Sequence, residues 1–238
     1  MMNMVSSNTS AAPATDLGHA RRLSPPVDKA LMTNRLRYGM IRTLDVVVCA
    51  FALLFFAPLL AIIAIVVYLS DPGPILFAHR RLGRNGNHFY CLKFRSMVTD
   101  AEGRLRRILD ANPEMRLEWE RDHKLRVDPR ITRVGRFLRS SSLDELPQLW
   151  NVIRGDMSIV GPRPIVDAEV TRYGRYFNDY CRVRPGITGL WQISGRNDVS
   201  YRRRVALDVA FSRSISVRLY LRILCLTVPS VLLARGSY

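Results

Sequence analysis

The chain has 238 residues, enough for one ordinary core or for one core plus a membrane element. Its formal net charge is +16 and its pI is near 10.6, so it needs a polyanionic neighbour: nucleic acid, an anionic membrane face or phosphorylated substrates. Cys49, Cys91, Cys181 and Cys225 lie far apart and the four histidines are scattered, which argues against a zinc site and for reduced, buried thiols.

Residues 1–28 are rich in Ser, Ala, Thr and Pro and lack periodicity, which predicts a disordered tail and no secretory signal. A basic juxtamembrane segment follows, with Lys29, Arg35, Arg37 and Arg42 suited to anionic headgroups. Residues 46–69 then run without a charge. As a helix they would reach ~36 Å, against a hydrocarbon core of about 30 Å. Pro58 sits near the midpoint, and both flanks are basic, with His79, Arg80, Arg81 and Arg84 on the far side. Two arrangements remain open: a single-pass helix with a Pro kink, or a helix that enters, bends at Pro58 and returns to the same face.

Asp71-Pro72-Gly73-Pro74 is a stop signal. Residues 75–82 and 89–97 read as strands around an Asn85-Gly86 turn. Strand alternation puts Tyr90, Leu92 and Phe94 on one face and Cys91, Lys93 and Arg95 on the other. The two cations form either a phosphate clamp or a solvated basic face. Residues 100–124 are helical in pattern with a break at Asn112-Pro113. Around 131–139, Ile131, Val134, Phe137 and Leu138 alternate with four arginines, an amphipathic pattern that suits a membrane surface or a helix on the core.

Residues 139–164, RSSSLDELPQLWNVIRGDMSIVGPRP, hold the densest chemistry. Ser142 and Glu145 have the spacing of a capping box, and Pro147 fits a cap at Asp144 as well. The acids Asp144 and Glu145 are then either first-turn acids favoured by the helix dipole or metal-holding and attacking groups for phosphoryl chemistry. Residues 172–184 read as helix, 188–198 as Gly-punctuated loops carrying Arg196 and Asp198, and 201–207 as a basic helix. Residues 217–233 read as a helix lying in the membrane interface, with Arg218 and Arg222 on one face. There is no internal repeat, no GxGxxG and no Walker-type loop.

KFRSM (93–97), LRSSSLDELPQLWNVIRGDMSIVGPRP (138–164) and RPGITGLWQISGRND (184–198) together resemble the bacterial sugar transferase family, the monotopic polyprenyl-phosphate phosphoglycosyl transferases. The likeness covers residue 42 onward. The ending is most similar to members that transfer galactose phosphate in succinoglycan-type exopolysaccharide synthesis. The resemblance implies an α+β fold: a monotopic membrane protein with a broken re-entrant N-terminal helix (29–74), amphipathic interface helices and a small β-hairpin-containing cytosolic catalytic domain (75–238). It implies an enzyme on the cytosolic face of the bacterial inner membrane, beside anionic lipids. That enzyme would move galactose- or glucose-1-phosphate from a UDP-sugar to undecaprenyl phosphate and release UMP. Asp144 is then the nucleophile and Glu145 a ligand of Mg²⁺, with Lys93, Arg95, Arg139, Arg163 and Arg196 on phosphates. No nucleic acid is expected as partner, and a homo-oligomer stays open. Many members carry Ser-Pro at the helix break. Here it is Ala57-Pro58, so Pro58 must break the helix without that hydroxyl. The rival readings are a membrane-tethered basic nucleic-acid-binding protein and a single-pass scaffold for a polysaccharide complex.

Overall fold

The structure, a computed structural model, describes residues 27–122, 125–195 and 199–232. The expected N-terminal tail falls outside them up to residue 26. Helix α1 spans Val27–Ser70. Within it Arg35–Ser70 is long and apolar enough to cross a membrane. The expected break at Pro58 is not an interruption: helix continues on both sides of it. A proline removes one ladder bond, and helices in apolar surroundings absorb that loss.

Both arms of α1 pack on the rest of the chain. On the N-terminal arm, Ile41 and Cys49 join a core with Val152, Met157, Ile159, Tyr220 and Ile223. On the C-terminal arm, Ile63 and Val67 pack with Phe94 and Leu138. Between them Phe51, Leu54 and Phe55 are exposed, Leu54 at 78 %. Polar bonds hold the N-terminal arm. Arg42 Nη1 and Nη2 donate to the carbonyls of Val152 (2.5 Å) and Ile153 (2.7 Å), at the negative end of a helix. Asp45, buried where the apolar run begins, accepts from Ile159 N (2.8 Å), Ser158 Oγ (3.0 Å) and Tyr220 OH (2.8 Å). Three donors are what a buried carboxylate requires.

Strands β1 (Leu76–Leu82) and β2 (His88–Phe94) form the expected antiparallel hairpin. Asn85 (φ 60°) and Gly86 (φ 75°) take the left-handed conformation that the Asn-Gly pair favours. Helices α2 (Ala101–Ala111) and α3 (Pro113–Asp122) meet at the expected break. Helix α4 (Arg133–Ser140) is capped by Thr132, whose hydroxyl accepts from Gly135 N at 2.8 Å. Leu138 is buried and Phe137 exposed, so α4 has one face on the core and one outward.

After α5 (Gln148–Arg154) comes β3 (Ser158–Val160). The helix expected over 172–184 is divided: α6 (Val170–Tyr173) and α7 (Phe177–Cys181) are separated by Gly174 at φ 50°. Strand β4 (Gly186–Thr188), which was not expected, runs parallel to β3. Then follow α8 (Leu190–Ile193), α9 (Tyr201–Ser214) and α10 (Val217–Leu232). The α10 helix buries Tyr220 and Ile223 in the core and exposes Arg218, Arg222, Leu221 and Leu226. Much of the face expected to meet lipid therefore meets protein. A second core of Leu82, Ile165, Tyr173, Tyr180, Val205 and Val209 ties the hairpin to α9.

Candidate active site

Asp144 and Glu145 lie on a 3₁₀ turn, Leu143–Glu145, and not in the first turn of an α-helix. Ser142 is left-handed (φ 58°) and its side chain caps nothing; α5 starts only at Gln148, after Pro147. Both capping assignments are thereby corrected. A 3₁₀ turn separates neighbouring side chains by about 120°, so the two acids diverge. Asp144 is buried, at 7 % exposure, while the Glu145 side chain is 37 % exposed.

Lys93 is the cation between them. Its Nζ donates to Glu145 Oε1 at 2.6 Å and stands 4.0 Å from Asp144 Oδ2. Burial raises the Asp144 carboxyl above the ordinary aspartate range; Lys93 pulls it down, Glu145 pushes it up and Arg139 pulls it down. Arg139, on the last turn of α4, donates from Nε to Ser96 Oγ at 2.8 Å and faces Asp144 electrostatically. One buried carboxylate thus has two cations trained on it.

The strand carrying Lys93 is fixed by a residue that the motifs did not single out. Asn151, fully buried on α5, accepts from Leu92 N at 2.9 Å and donates to Tyr90 O at 2.8 Å. Its amide pairs with the edge of β2 as another strand would, which sets Lys93 against the turn that bears the acids. A lone Asn among the apolar residues of QLWNVIR is the signal that could have found it.

The other expected cations are distributed differently. Arg95 does not join Lys93. It donates to the Asp71 carbonyl, with Asp71 Oδ2 3.8 Å away, and Asp71 in turn accepts from Thr99 N at 2.7 Å. That clasp closes the turn after α1. Arg163 lies over the Trp191 ring at 5.8 Å. Arg196 lies outside the described residues. The Cys91 thiol, pushed up to about 11 by burial, also feels Lys93, Arg81, Glu145 and Arg163, so Arg163 and the acid pair share one electrostatic neighbourhood. Arg81 reinforces it, donating to Pro164 O at 3.2 Å.

Among the described residues no three His, Cys, Asp or Glu side chains converge as a metal cluster. The exposed Glu145 carboxylate is still a fitting ligand for a hard cation such as Mg²⁺, which commonly takes one or two protein oxygens and completes its shell with water and substrate phosphate. Lys93 sits at the Glu145 oxygen that such an ion would contact.

Known proteins carry similar sequences. The chain is 50 % identical over 197 residues to the exopolysaccharide production protein ExoY of Rhizobium meliloti, across 83 % of this chain and 87 % of that protein. It is 48 % identical over 197 residues to the undecaprenyl-phosphate galactose phosphotransferase of Salmonella typhimurium, covering 83 % of this chain and 41 % of that longer protein. It is 40 % identical over 205 residues to the UDP-glucose:undecaprenyl-phosphate glucose-1-phosphate transferase of Caulobacter vibrioides, across 83 % and 71 %. The signature of the bacterial sugar transferases matches residues 36–234. With the acid pair, its cations and these matches in hand, the chain belongs to the bacterial sugar transferase family.

Proposed function

We propose that this enzyme transfers a sugar-1-phosphate, galactose-1-phosphate before glucose-1-phosphate, from a UDP-sugar to undecaprenyl phosphate in exopolysaccharide synthesis. The observation that carries this reading is a buried carboxylate, Asp144, flanked by Lys93 and Arg139. An Asp144 oxygen attacks the phosphorus that bears the sugar. The bridging P–O bond breaks and UMP leaves with the bridging oxygen. An oxygen of undecaprenyl phosphate then attacks the same phosphorus, the bond to Asp144 breaks, and the free carboxylate returns. Splitting the transfer in two lets one site handle a soluble donor and a lipid acceptor in turn.

Lys93 and Arg139 favour the ionised form of Asp144 against the upward push of its burial, and they offset charge on the approaching phosphates. Glu145, with Asp144 beside it, would hold Mg²⁺, which would neutralise diphosphate charge when bound. Arg163 joins on the phosphate side, its backbone stiffened by Pro162 and Pro164.

The site works at the cytosolic face of the inner membrane, with α1 re-entrant. Supporting this, both arms of α1 pack on one catalytic body while the apolar stretch around Leu54 and Phe55 between them stays exposed. A straight crossing would carry one arm to the far side. The outward arginines of α4 and α10 suit anionic headgroups. The direct test is UMP release with undecaprenyl phosphate and a panel of UDP-sugars. UDP-galactose should be turned over best; no UMP from any donor would end the assignment.

A further inference from the structure

A cation-rich cluster lies beyond the acid pair, on α8 and α9. The Arg204 guanidinium stands over the Trp191 ring at 4.3 Å and over the Tyr201 ring at 5.5 Å, and Arg163 approaches the same indole at 5.8 Å. Arg172 covers Tyr201 at 4.7 Å. Among the described residues, neither Arg163 nor Arg204 has a carboxylate within ion-pair distance. Among the described residues, two buried donors in the cluster also have no acceptor: Arg204 Nε and Trp191 Nε1, the latter on a residue only 7 % exposed.

The nearby acids are otherwise engaged. Asp208 takes the Tyr173 hydroxyl at 2.7 Å and the Arg163 backbone N–H, and burial raises it to about 7, so it is a weak counter-ion at neutral pH. Glu169 accepts from Val166 N at 3.0 Å and Tyr201 OH at 3.3 Å and faces Arg81. Two guanidiniums on one indole repel each other unless an anion lies between them, and burial plus Arg163 already hold the Arg204 guanidinium below its ordinary range. A buried indole N–H can be met only by an acceptor. Oxygen-rich, doubly charged and able to engage two planar forks at once, a diphosphate answers every one of these unmet groups.

We infer that Arg204 and Trp191, with Arg163, form the subsite that grips the diphosphate of the nucleotide donor. This rests on the transferase reading above. Arg204 leaves the indole for a phosphate oxygen and uncovers Trp191 Nε1 as it does so. The subsite holds the donor diphosphate for attack by Asp144 and makes no demand on the acceptor phosphate.

The experiment titrates UDP, UMP and a short-chain polyprenyl phosphate into full-length protein in detergent or nanodiscs, read by calorimetry and tryptophan fluorescence. The wild type, Arg204→Gln and Trp191→Phe are compared, with KM measured for both substrates. Trp191→Phe keeps an aromatic ring under the guanidinium and removes the pyrrole half of the indole with its N–H, so it tests the subsite if Arg204→Gln folds poorly. UDP affinity should fall about tenfold or more in Arg204→Gln, less in Trp191→Phe, and UMP affinity should fall less than UDP affinity in both. KM for the UDP-sugar should rise while KM for the lipid stays put. Unchanged UDP affinity, or a change confined to the polyprenyl phosphate, overturns the inference while wild-type UMP release leaves the transferase reading intact. Loss of UDP binding and UMP release in the wild type would sink both.

Discussion

Replacing Lys93 with Met should move the acid limb of the pH–rate profile to higher pH. Lys93 Nζ is 4.0 Å from Asp144 Oδ2. At an effective dielectric of about 20 that pair is worth about 4 kcal/mol, which is a ceiling. The Lys93 side chain is 30 % exposed, and its ammonium also serves Glu145 at 2.6 Å. Screening and sharing leave about 1–2 kcal/mol, or roughly one pH unit. The sign follows from the charge: Lys93 favours the carboxylate, so its loss adds to the upward push that burial already exerts on Asp144. Since the anion attacks, the rate must then fall off at a higher pH than in the wild type. The assay is the burst of UMP in the first turnover, followed from neutral to acid pH. Lys93→Arg should return the limb towards its wild-type position. A limb that stays in place while the rate drops uniformly would mean that Lys93 serves the phosphate and not Asp144.

Three further outcomes follow from the same geometry. Asp45→Ala should cost about 3 kcal/mol by stranding the Ile159 N–H and two hydroxyls, and Tyr220→Phe about 1 kcal/mol; denaturant unfolding in detergent measures both, and an unchanged midpoint for Asp45→Ala would deny that this acid docks α1. Glu145→Gln should raise the Mg²⁺ concentration needed for half-maximal UMP release, and an unchanged titration would remove Glu145 from the metal's ligands. Reporter tags at the two ends of the chain should both read cytosolic; a periplasmic N-terminus would refute the re-entrant reading of α1 while leaving the chemistry standing.

Local signals read well in this chain. Asn85-Gly86 and Asn112-Pro113 impose their turns through backbone preferences that need no distant partner, and the hairpin and the α2–α3 junction are where those signals put them. Non-local pairing did not read. Strands β3 and β4 are three residues each and start at Ser158 and Gly186, so neither shows a period, and only the fold brings Gly161 and Gly186 close enough to exclude a Cβ at either. The capping box at Ser142 was a pattern match that Pro147 overrode: the proline is accommodated where α5 begins, which leaves the acids on a tighter turn. Strand alternation pointed Lys93 and Arg95 the same way, but Arg95 closes the ladder, its N–H donating to Ile75 O at 2.9 Å, and its side chain is taken by Asp71. Amphipathicity in α10 was legible; whether its apolar face meets lipid or protein is a tertiary matter, decided by Tyr220 reaching Asp45.

The account stands on Asp144 as the attacking group. Purified protein incubated with UDP-galactose and no lipid acceptor should carry one hexose-phosphate, located on Asp144 by peptide mass spectrometry. The adduct should disappear when undecaprenyl phosphate is added and never form in Asp144→Asn. Full UMP turnover by Asp144→Asn, or an adduct on another residue, would contradict it.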